Sequence, residues 1–290
     1  MTCSSSRISV VLPARNEAAS LQSLLPALCR QLPEAEIIVI DDGSRDGTAA
    51  LCKEHGVRRV AHPYPKGNGA AIKTGARVAT GNVIVFMDAD GQHLPGDIPR
   101  MLAKLDEGYD MVVGSRSADD HAGAHRGFAN GVFNRFASWM VNHPVLDLTS
   151  GFRAVRANCF RRFLYLLPNS FSYPTTCTMS FFRAGLGVAY VPVTMPPRIG
   201  DSHIRPFRDG VRFLLIILKI GTLYSPLKLF LPVSLLFFLS GACYYGYTFW
   251  MFNRFTNMSA LLFSTAVIVF MMGLISEQIT MLNYRDSDRD

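Results

Sequence analysis

No Cys-x-x-Cys pair occurs in the chain. Its six cysteines, Cys3, Cys29, Cys52, Cys159, Cys177 and Cys243, are scattered, which argues against a zinc or disulfide framework and reads as reduced, mostly core residues. No basic run is interleaved with stacking aromatics. The net charge of +7 therefore points away from nucleic acid and towards anionic lipid and phosphorylated substrates. No Gly-x-Gly-x-x-Gly follows the first apolar run, and no Gly-Lys-Ser/Thr ends a glycine-rich loop, so neither a dinucleotide cofactor nor a Walker loop is expected. The polar stretch Met1–Arg7 leads only into a brief apolar run ending at Pro13, without a secretory h-region; the soluble part is expected to stay in the cytoplasm. Charge is missing altogether from Leu229 to Asn253 and from Phe255 to Ser276. Each stretch meets the roughly 20-residue requirement of a membrane span. The short turn between them makes a hairpin, and the excess of basic residues before it obeys the positive-inside rule. An integral protein of the inner or plasma membrane is expected. Gly241 and Gly246 would allow close helix packing and self-association.

What is present centres on Asn82–Pro95. Five apolar residues, Val83 to Met87, run into Asp88 and Asp90, and Gly91, Gln92, His93 and Pro95 then turn the chain. Such a run reads as a strand buried on both faces of a parallel sheet, and open α/β sheets bind ligands outside the carboxyl ends of their strands. Two carboxylates there repel each other unless a cation lies between them. Oxygen ligands without a thiolate or imidazole cluster suit Mg²⁺ or Mn²⁺ that also holds a phosphate. A helix cap plus a solvated Asp is the plainer alternative for this pair alone.

The same alternation recurs along the chain. Ile8–Pro13 reads as a strand stopped by proline, and Ala18–Gln31 as a helix with Leu21, Leu24, Leu25 and Leu28 on one face. Glu36–Ile40 reads as a strand ending at Asp41-Asp42-Gly43-Ser44, where the acids are placed to accept hydrogen bonds from a base or ribose and Asp46 is placed to cap the next helix. Arg58–Ala61 is a short third strand. Lys66-Gly67-Asn68-Gly69 opens a helix of small residues whose amino end favours anions. After a helix over Asp97–Glu107, Asp110–Gly114 makes a fifth strand ending at Ser115-Arg116. The expected fold is an α/β doubly wound, mostly parallel sheet.

Taken in order, Leu12-Pro13-Ala14-Arg15-Asn16-Glu17, Asp41-Asp42-Gly43-Ser44, Asp88-Ala89-Asp90-Gly91-Gln92-His93, Gly114-Ser115-Arg116, Asp147-Leu148-Thr149-Ser150-Gly151-Phe152-Arg153 and Arg198-Ile199-Gly200-Asp201-Ser202 resemble the family-2 glycosyltransferases of GT-A fold. The likeness is to the branch of dolichol-phosphate mannose synthases and bacterial polyprenyl-phosphate glucosyltransferases. The resemblance implies a nucleotide-sugar donor met by Pro13, Arg15, Glu17, Asp41, Asp42 and Lys66, with Asp88 and Gln92. It implies a metal, Mg²⁺ or Mn²⁺, at Asp88, Asp90 and Gln92. It also implies that diphosphate or acceptor phosphate is met by Arg116, Arg126 and Arg198, with Ser150 alongside. Two departures stand out. His203 occupies a position where the branch often has Lys, and Phe171–Thr176 lacks the branch's frequent acidic residue, so no catalytic carboxylate is placed there.

Arg126, Asn130 and Asn134 share one helical face and read as a grip on the acceptor phosphate. Arg208–Tyr224 combines Arg208, Arg212 and Lys219 near one stripe with apolar residues elsewhere, the composition of a helix lying in the membrane interface. The expected organisation is a catalytic domain over 1–204, an interfacial helix over 205–228, and spans over 229–253 and 255–282. Two spans, and no Gln-x-x-Arg-Trp motif, separate the chain from cellulose- or hyaluronan-like synthases. The expected reaction is inverting sugar transfer to a polyprenyl (undecaprenyl or dolichyl) phosphate. Transfer to another lipid such as diacylglycerol, which would need a base absent from the motifs, and an inactive membrane scaffold are the alternatives.

Overall fold

The computed structural model describes residues 7–116, 124–169, 172–194 and 221–285, with the backbone course alone for 124–130 and 283–285. The chain divides into two compact units, Met1–His203 and Ile204–Asp290.

The first unit is built on strands β1 (Ile8–Ala14), β2 (Glu36–Asp41), β3 (Arg58–Ala61), β4 (Val83–Phe86), β5 (Met111–Arg116), β6 (Arg153–Arg156) and β7 (Val188–Val193). They form one 7-stranded sheet in the order β3-β2-β1-β4-β6-β5-β7. The expected first five strands are all present. Helices α1 (Ala18–Gln31), α2 (Thr48–Glu54), α3 (Asn68–Val78) and α4 (Ile98–Asp106) connect them, followed by α5 (Ala124–Val141), α6 (Ala157–Arg161) and α7 (Tyr173–Arg183). The apolar runs of β1, β2 and β4 are buried between the helix layers, and Leu21, Leu24, Leu25 and Leu28 are the buried face of α1. The small residues of α3 have a steric reason: a Cβ on Gly75 would come within 2.2 Å of Val11 Cγ1, so this helix lies directly on β1.

Two readings from the sequence are corrected. Proline does not stop β1. The strand runs on to Ala14, with Pro13 opposite Ile40 in the parallel β1/β2 register. Val11 C=O accepts from Met87 N–H, so Pro13, two residues on, turns its missing N–H towards β4 just where β4 has ended. The ladder loses nothing there. The expected helix from Asp97 also begins differently, with a 3₁₀ turn over Pro95–Asp97 before α4.

β6 and β7 were not anticipated, and β6 shapes the site. It runs antiparallel to both β4 and β5, pairing Arg153 with Phe86 and with Val113. A parallel strand delivers the loop that follows it to the carboxyl edge of the sheet; an antiparallel strand inserted there delivers the loop that precedes it. Residues 147–152 thereby reach the edge where Asp88 emerges. β6 is anchored by Arg153, which is fully buried and donates to Ser150 O (2.8 Å), Leu148 O (3.3 Å) and Thr178 Oγ1 (2.8 Å).

In the second unit, helices Pro226–Phe252 and Asn257–Arg285 pack as a hairpin. Both are long and apolar enough to cross a membrane, and little of their apolar length is buried within the protein. A helix in the core of a soluble domain would be mostly covered. Gly241 faces Leu262 and Phe263, Gly273 faces Phe230, and Ser234 Oγ donates to Ala266 O at 2.8 Å. Gly241 is thus used inside the hairpin. Of the expected interfacial helix, 208–220 lies outside the described residues and 221–224 is helical.

Candidate active site

At the carboxyl edge of the sheet, a cleft of about 590 Å³ is lined by Pro13 near the end of β1 and Arg15 and Glu17 after it, by Asp42 after β2, by Asp88, Asp90 and Gln92 after β4, and by Arg116 at the end of β5. Eight of the sequence-derived candidates therefore converge on it. Thr149, Gly151, Tyr173 and Pro174 also line it. The first two come from the motif before β6, and Tyr173 and Pro174 from the Phe171–Thr176 segment, where the sequence lacks the branch's frequent acidic residue.

Asp88 and Asp90 sit in a turn held by their own neighbours. The Asp90 carboxylate accepts from Gln92 N–H at 3.1 Å, and Asp88 N–H donates to His93 Nδ1 at 3.1 Å. His93 is buried and stacked on Phe152, with ring centroids 4.9 Å apart. Burial pushes its pKa down, against the pull of the Asp88 and Asp90 charges. A neutral ring that accepts at Nδ1 carries its proton on Nε2, so His93 orients the Asp88 backbone. Among the described residues no cluster of three or more His, Cys, Asp or Glu forms a metal cage. The donor set is instead two carboxylates and an amide lining an open cleft, which fits a hard divalent ion that completes its sphere with ligand phosphate and water.

Arg116 is held by Asp147. Its Nε and Nη2 donate to Asp147 at 2.8 and 3.0 Å, and Nη2 also donates to Thr149 Oγ1. Burial pushes the Asp147 carboxyl up, but the Arg116 bonds outweigh it and hold the pKa below the usual range. The guanidinium reaches the cleft already oriented.

The acids after β2 are internally bonded. Asp42 accepts from the Lys66 and Gly67 amides at 2.7 and 2.8 Å and pairs with His62 Nδ1 at 2.7 Å. The anion at the amino end of α3 is thus Asp42 itself. Lys66 contributes its amide there, while its ammonium lies over the Tyr64 ring. His62 and Asp42 form a His/Asp pair, but both partners are buried and His62 Nε2 is bonded to Thr74 Oγ1. Asp46 is structural, as expected: it accepts from Thr48 N–H and from Ala18 N–H. Asp41 lines an adjoining cavity rather than the main cleft.

On α5, Asn134 donates to Leu146 O at 2.6 Å and accepts from Leu148 N–H at 3.1 Å. Its amide clamps the loop carrying Asp147 and Thr149. Ser150 is turned inward, accepting from Phe152 N–H, and is buried; Thr149 is the hydroxyl on the cleft. The side chains of Arg126 and Asn130, and all of Arg198 and His203, lie outside the described residues.

A mixed α/β sheet with paired acids and an arginine at its carboxyl edge defines a GT-A type transferase. The chain belongs to glycosyl transferase family 2, whose model matches residues 9–179, and residues 225–282 match the GtrB C-terminal hairpin. It is 27% identical to glycosyltransferase AglJ of Haloferax volcanii over 97% of this chain and 96% of that protein. It is 30% identical to polyprenol monophosphomannose synthase of Mycolicibacterium smegmatis over 66% of this chain and 78% of that one. The crystal structure of glucosyl-3-phosphoglycerate synthase from Mycobacterium tuberculosis with Mn²⁺, UDP and glucosyl-3-phosphoglycerate shares the fold, with a TM-score of 0.60 at 23% identity over 76% of this chain and 80% of that one.

Proposed function

We propose that the protein transfers a sugar, with inversion, from a nucleoside-diphosphate donor to a membrane polyprenyl phosphate, its catalytic unit on the cytoplasmic side. The observation that carries this reading is the convergence of Asp88, Asp90, Gln92 and Arg116 on one cleft, in a chain that also carries an apolar hairpin. The names of its relatives support the acceptor class.

A lipid phosphate oxygen attacks the anomeric carbon from the face opposite the nucleoside diphosphate. The C–O bond to the diphosphate breaks, and its electron pair leaves on the β-phosphate. A phosphate monoester, with a second pKa of about 6, is largely dianionic at neutral pH, so the nucleophile needs no general base. This agrees with a cleft whose nearest histidines, His62 and His93, are both buried and hydrogen-bonded internally. Asp88, Asp90 and Gln92 would hold Mg²⁺ or Mn²⁺, which when bound neutralises charge on the departing diphosphate. Arg116, fixed by Asp147, presents a preorganised cation to phosphate oxygens. Positioning two anions against their mutual repulsion is the main task of the protein.

The test supplies the purified protein with undecaprenyl phosphate, Mg²⁺ or Mn²⁺ and a panel of labelled nucleotide sugars, with Asp90→Ala as control. Lipid-extractable label from one donor, lost in the variant, is the expected result. Transfer that survives Asp90→Ala overturns the metal assignment. No transfer to undecaprenyl phosphate, with transfer to diacylglycerol instead, overturns the acceptor.

A further inference from the structure

The start of α7 brings Tyr173 and Pro174 to the main cleft, and of the two Tyr173 carries a polar group. Its side chain is buried, and its hydroxyl donates to Gly151 O at 3.4 Å. Gly151 in turn stands opposite Asp88. The antiparallel β4/β6 ladder pairs Phe86 with Arg153, and the same register carried two residues further sets Asp88 against Gly151. A Cβ on Gly151 would come within 3.2 Å of Cγ and of both carboxylate oxygens of Asp88, so the Gly151 backbone is a wall against which this carboxylate rests.

α7 holds that wall at two points. Thr178 Oγ1 accepts from Arg153 Nη1 at 2.8 Å, which fixes the first residue of β6. Tyr173, five residues earlier on the same helix, reaches Gly151, which lies before the strand begins. The helix is buried from Tyr173 to Phe181 and serves both contacts as a rigid rail. Burial pushes the Tyr173 pKa well above its ordinary value, and the Asp88 charge adds to the rise, so at neutral pH the hydroxyl is a donor. An O···O separation of 3.4 Å is longer than the 2.5–3.0 Å or so of a strong hydroxyl bond, and such a bond adds little to the stability of the fold. Hydrogen bonds of a catalytic site are often long before its ligands bind.

We infer that Tyr173 is a positioning residue of the metal site: its hydroxyl holds the Gly151 backbone where the Asp88 carboxylate rests facing the cleft. The inference depends on the assignment of Asp88 as a metal ligand proposed above. Groups that orient metal ligands from outside are worth about 10–100-fold in metal affinity. A long bond acting through a backbone belongs at the lower end of that range.

The test is titration of the full chain in detergent with Mn²⁺, alone and with UDP or GDP, with bound and free ion separated by electron paramagnetic resonance. The proteins compared are the wild type, Tyr173→Phe, Gly151→Ala and the double variant. Tyr173→Phe keeps the ring and removes only the hydroxyl. It should weaken Mn²⁺ binding about tenfold while the denaturant unfolding midpoint stays at the wild-type value. In the Gly151→Ala protein, whose carboxylate is already displaced, adding Tyr173→Phe should weaken binding little further, because two changes on one route are not additive. Wild-type Mn²⁺ affinity in Tyr173→Phe makes the tyrosine merely structural and overturns the inference, with the metal assignment left standing. A full further loss in the double variant overturns the route through Gly151. A wild-type protein that binds no Mn²⁺ under any of these conditions overturns the inference and the metal assignment together.

Discussion

Gly151 lies against the carboxylate of Asp88, so close that a Cβ on it would come within 2.6 Å of Oδ2. The two residues come from opposite directions of the sheet, Asp88 following the parallel strand β4 and Gly151 preceding the antiparallel strand β6. Gly151→Ala should therefore displace the Asp88 carboxylate while the β4/β6 ladder persists. The expected outcome is a loss of transfer of tenfold or more, of the order that small misplacements near reacting groups produce, together with weaker metal-dependent nucleotide binding and an unchanged circular dichroism spectrum. Full activity in the variant would show that Asp88 need not hold this position.

The Arg116–Asp147 pair should behave as a unit. Asp147 is buried and accepts from the Arg116 side chain as well as from the Thr149 and Ser150 amides. Arg116→Leu leaves an unpaired carboxylate in a covered position, and truncating one partner of a buried pair costs about 3 kcal/mol or more. Arg116→Leu combined with Asp147→Asn should destabilise less than the sum of the single changes, yet remain inactive. Denaturant unfolding of the four proteins in the cycle measures the coupling. Additive effects would mean that the pair contributes nothing beyond two separate contacts.

Glu36 ties the start of β2 to three other segments. It accepts from Ser9 Oγ, from the Thr80 amide and hydroxyl, and from Arg58. Burial pushes its pKa up, but these four bonds together bring it to about 2, from an ordinary 4.5. A carboxylate whose pKa is lower in the folded state stabilises the protein above its unfolded pKa, and that contribution is lost as pH falls from about 4.5 to about 2. Glu36→Gln should accordingly lower the free energy of unfolding at pH 7 by about 1–2 kcal/mol. The difference from wild type should shrink below pH 4.5 and close towards pH 2. A constant difference across that window would place the stabilisation in packing rather than in the charge.

How much of this could be read from the sequence follows from how local each feature is. The paired acids of Asp88 and Asp90 announced themselves because a buried strand and the turn after it are contiguous in the chain, and the cleft lies where such a strand ends. β6 did not, because Arg153–Arg156 carries an arginine at each end and shows neither an apolar run nor alternation. Arg153 is buried because Thr178, from a distant helix, and the carbonyls of Leu148 and Ser150 in the preceding loop meet it. The roles of Asp41 and Asp42 were equally hidden. Their partners Arg59 and His62 sit on and just after β3, and no spacing rule links β2 to that strand before the sheet is assembled.

Asn134 was read from its helical spacing as a phosphate ligand alongside Arg126 and Asn130, and its geometry makes a different prediction. Both ends of its amide are hydrogen-bonded to the backbone of the loop over Leu146–Leu148, one donating and one accepting, and that loop carries the Asp147 that orients Arg116. Asn134→Ala removes two bonds that no neighbouring water-exposed group replaces with the same geometry, at a cost of about 1–2 kcal/mol. Its kinetic effect should then fall on kcat, through a looser Arg116, with the KM for polyprenyl phosphate little changed. Arg126→Ala should do the reverse if it meets the acceptor, raising that KM with kcat better preserved. Measuring both parameters against undecaprenyl phosphate for the two variants separates the roles. A rise in acceptor KM for Asn134→Ala, with unfolding unaffected, would return Asn134 to the phosphate and leave the loop to be held by Arg116 and Asp147 alone.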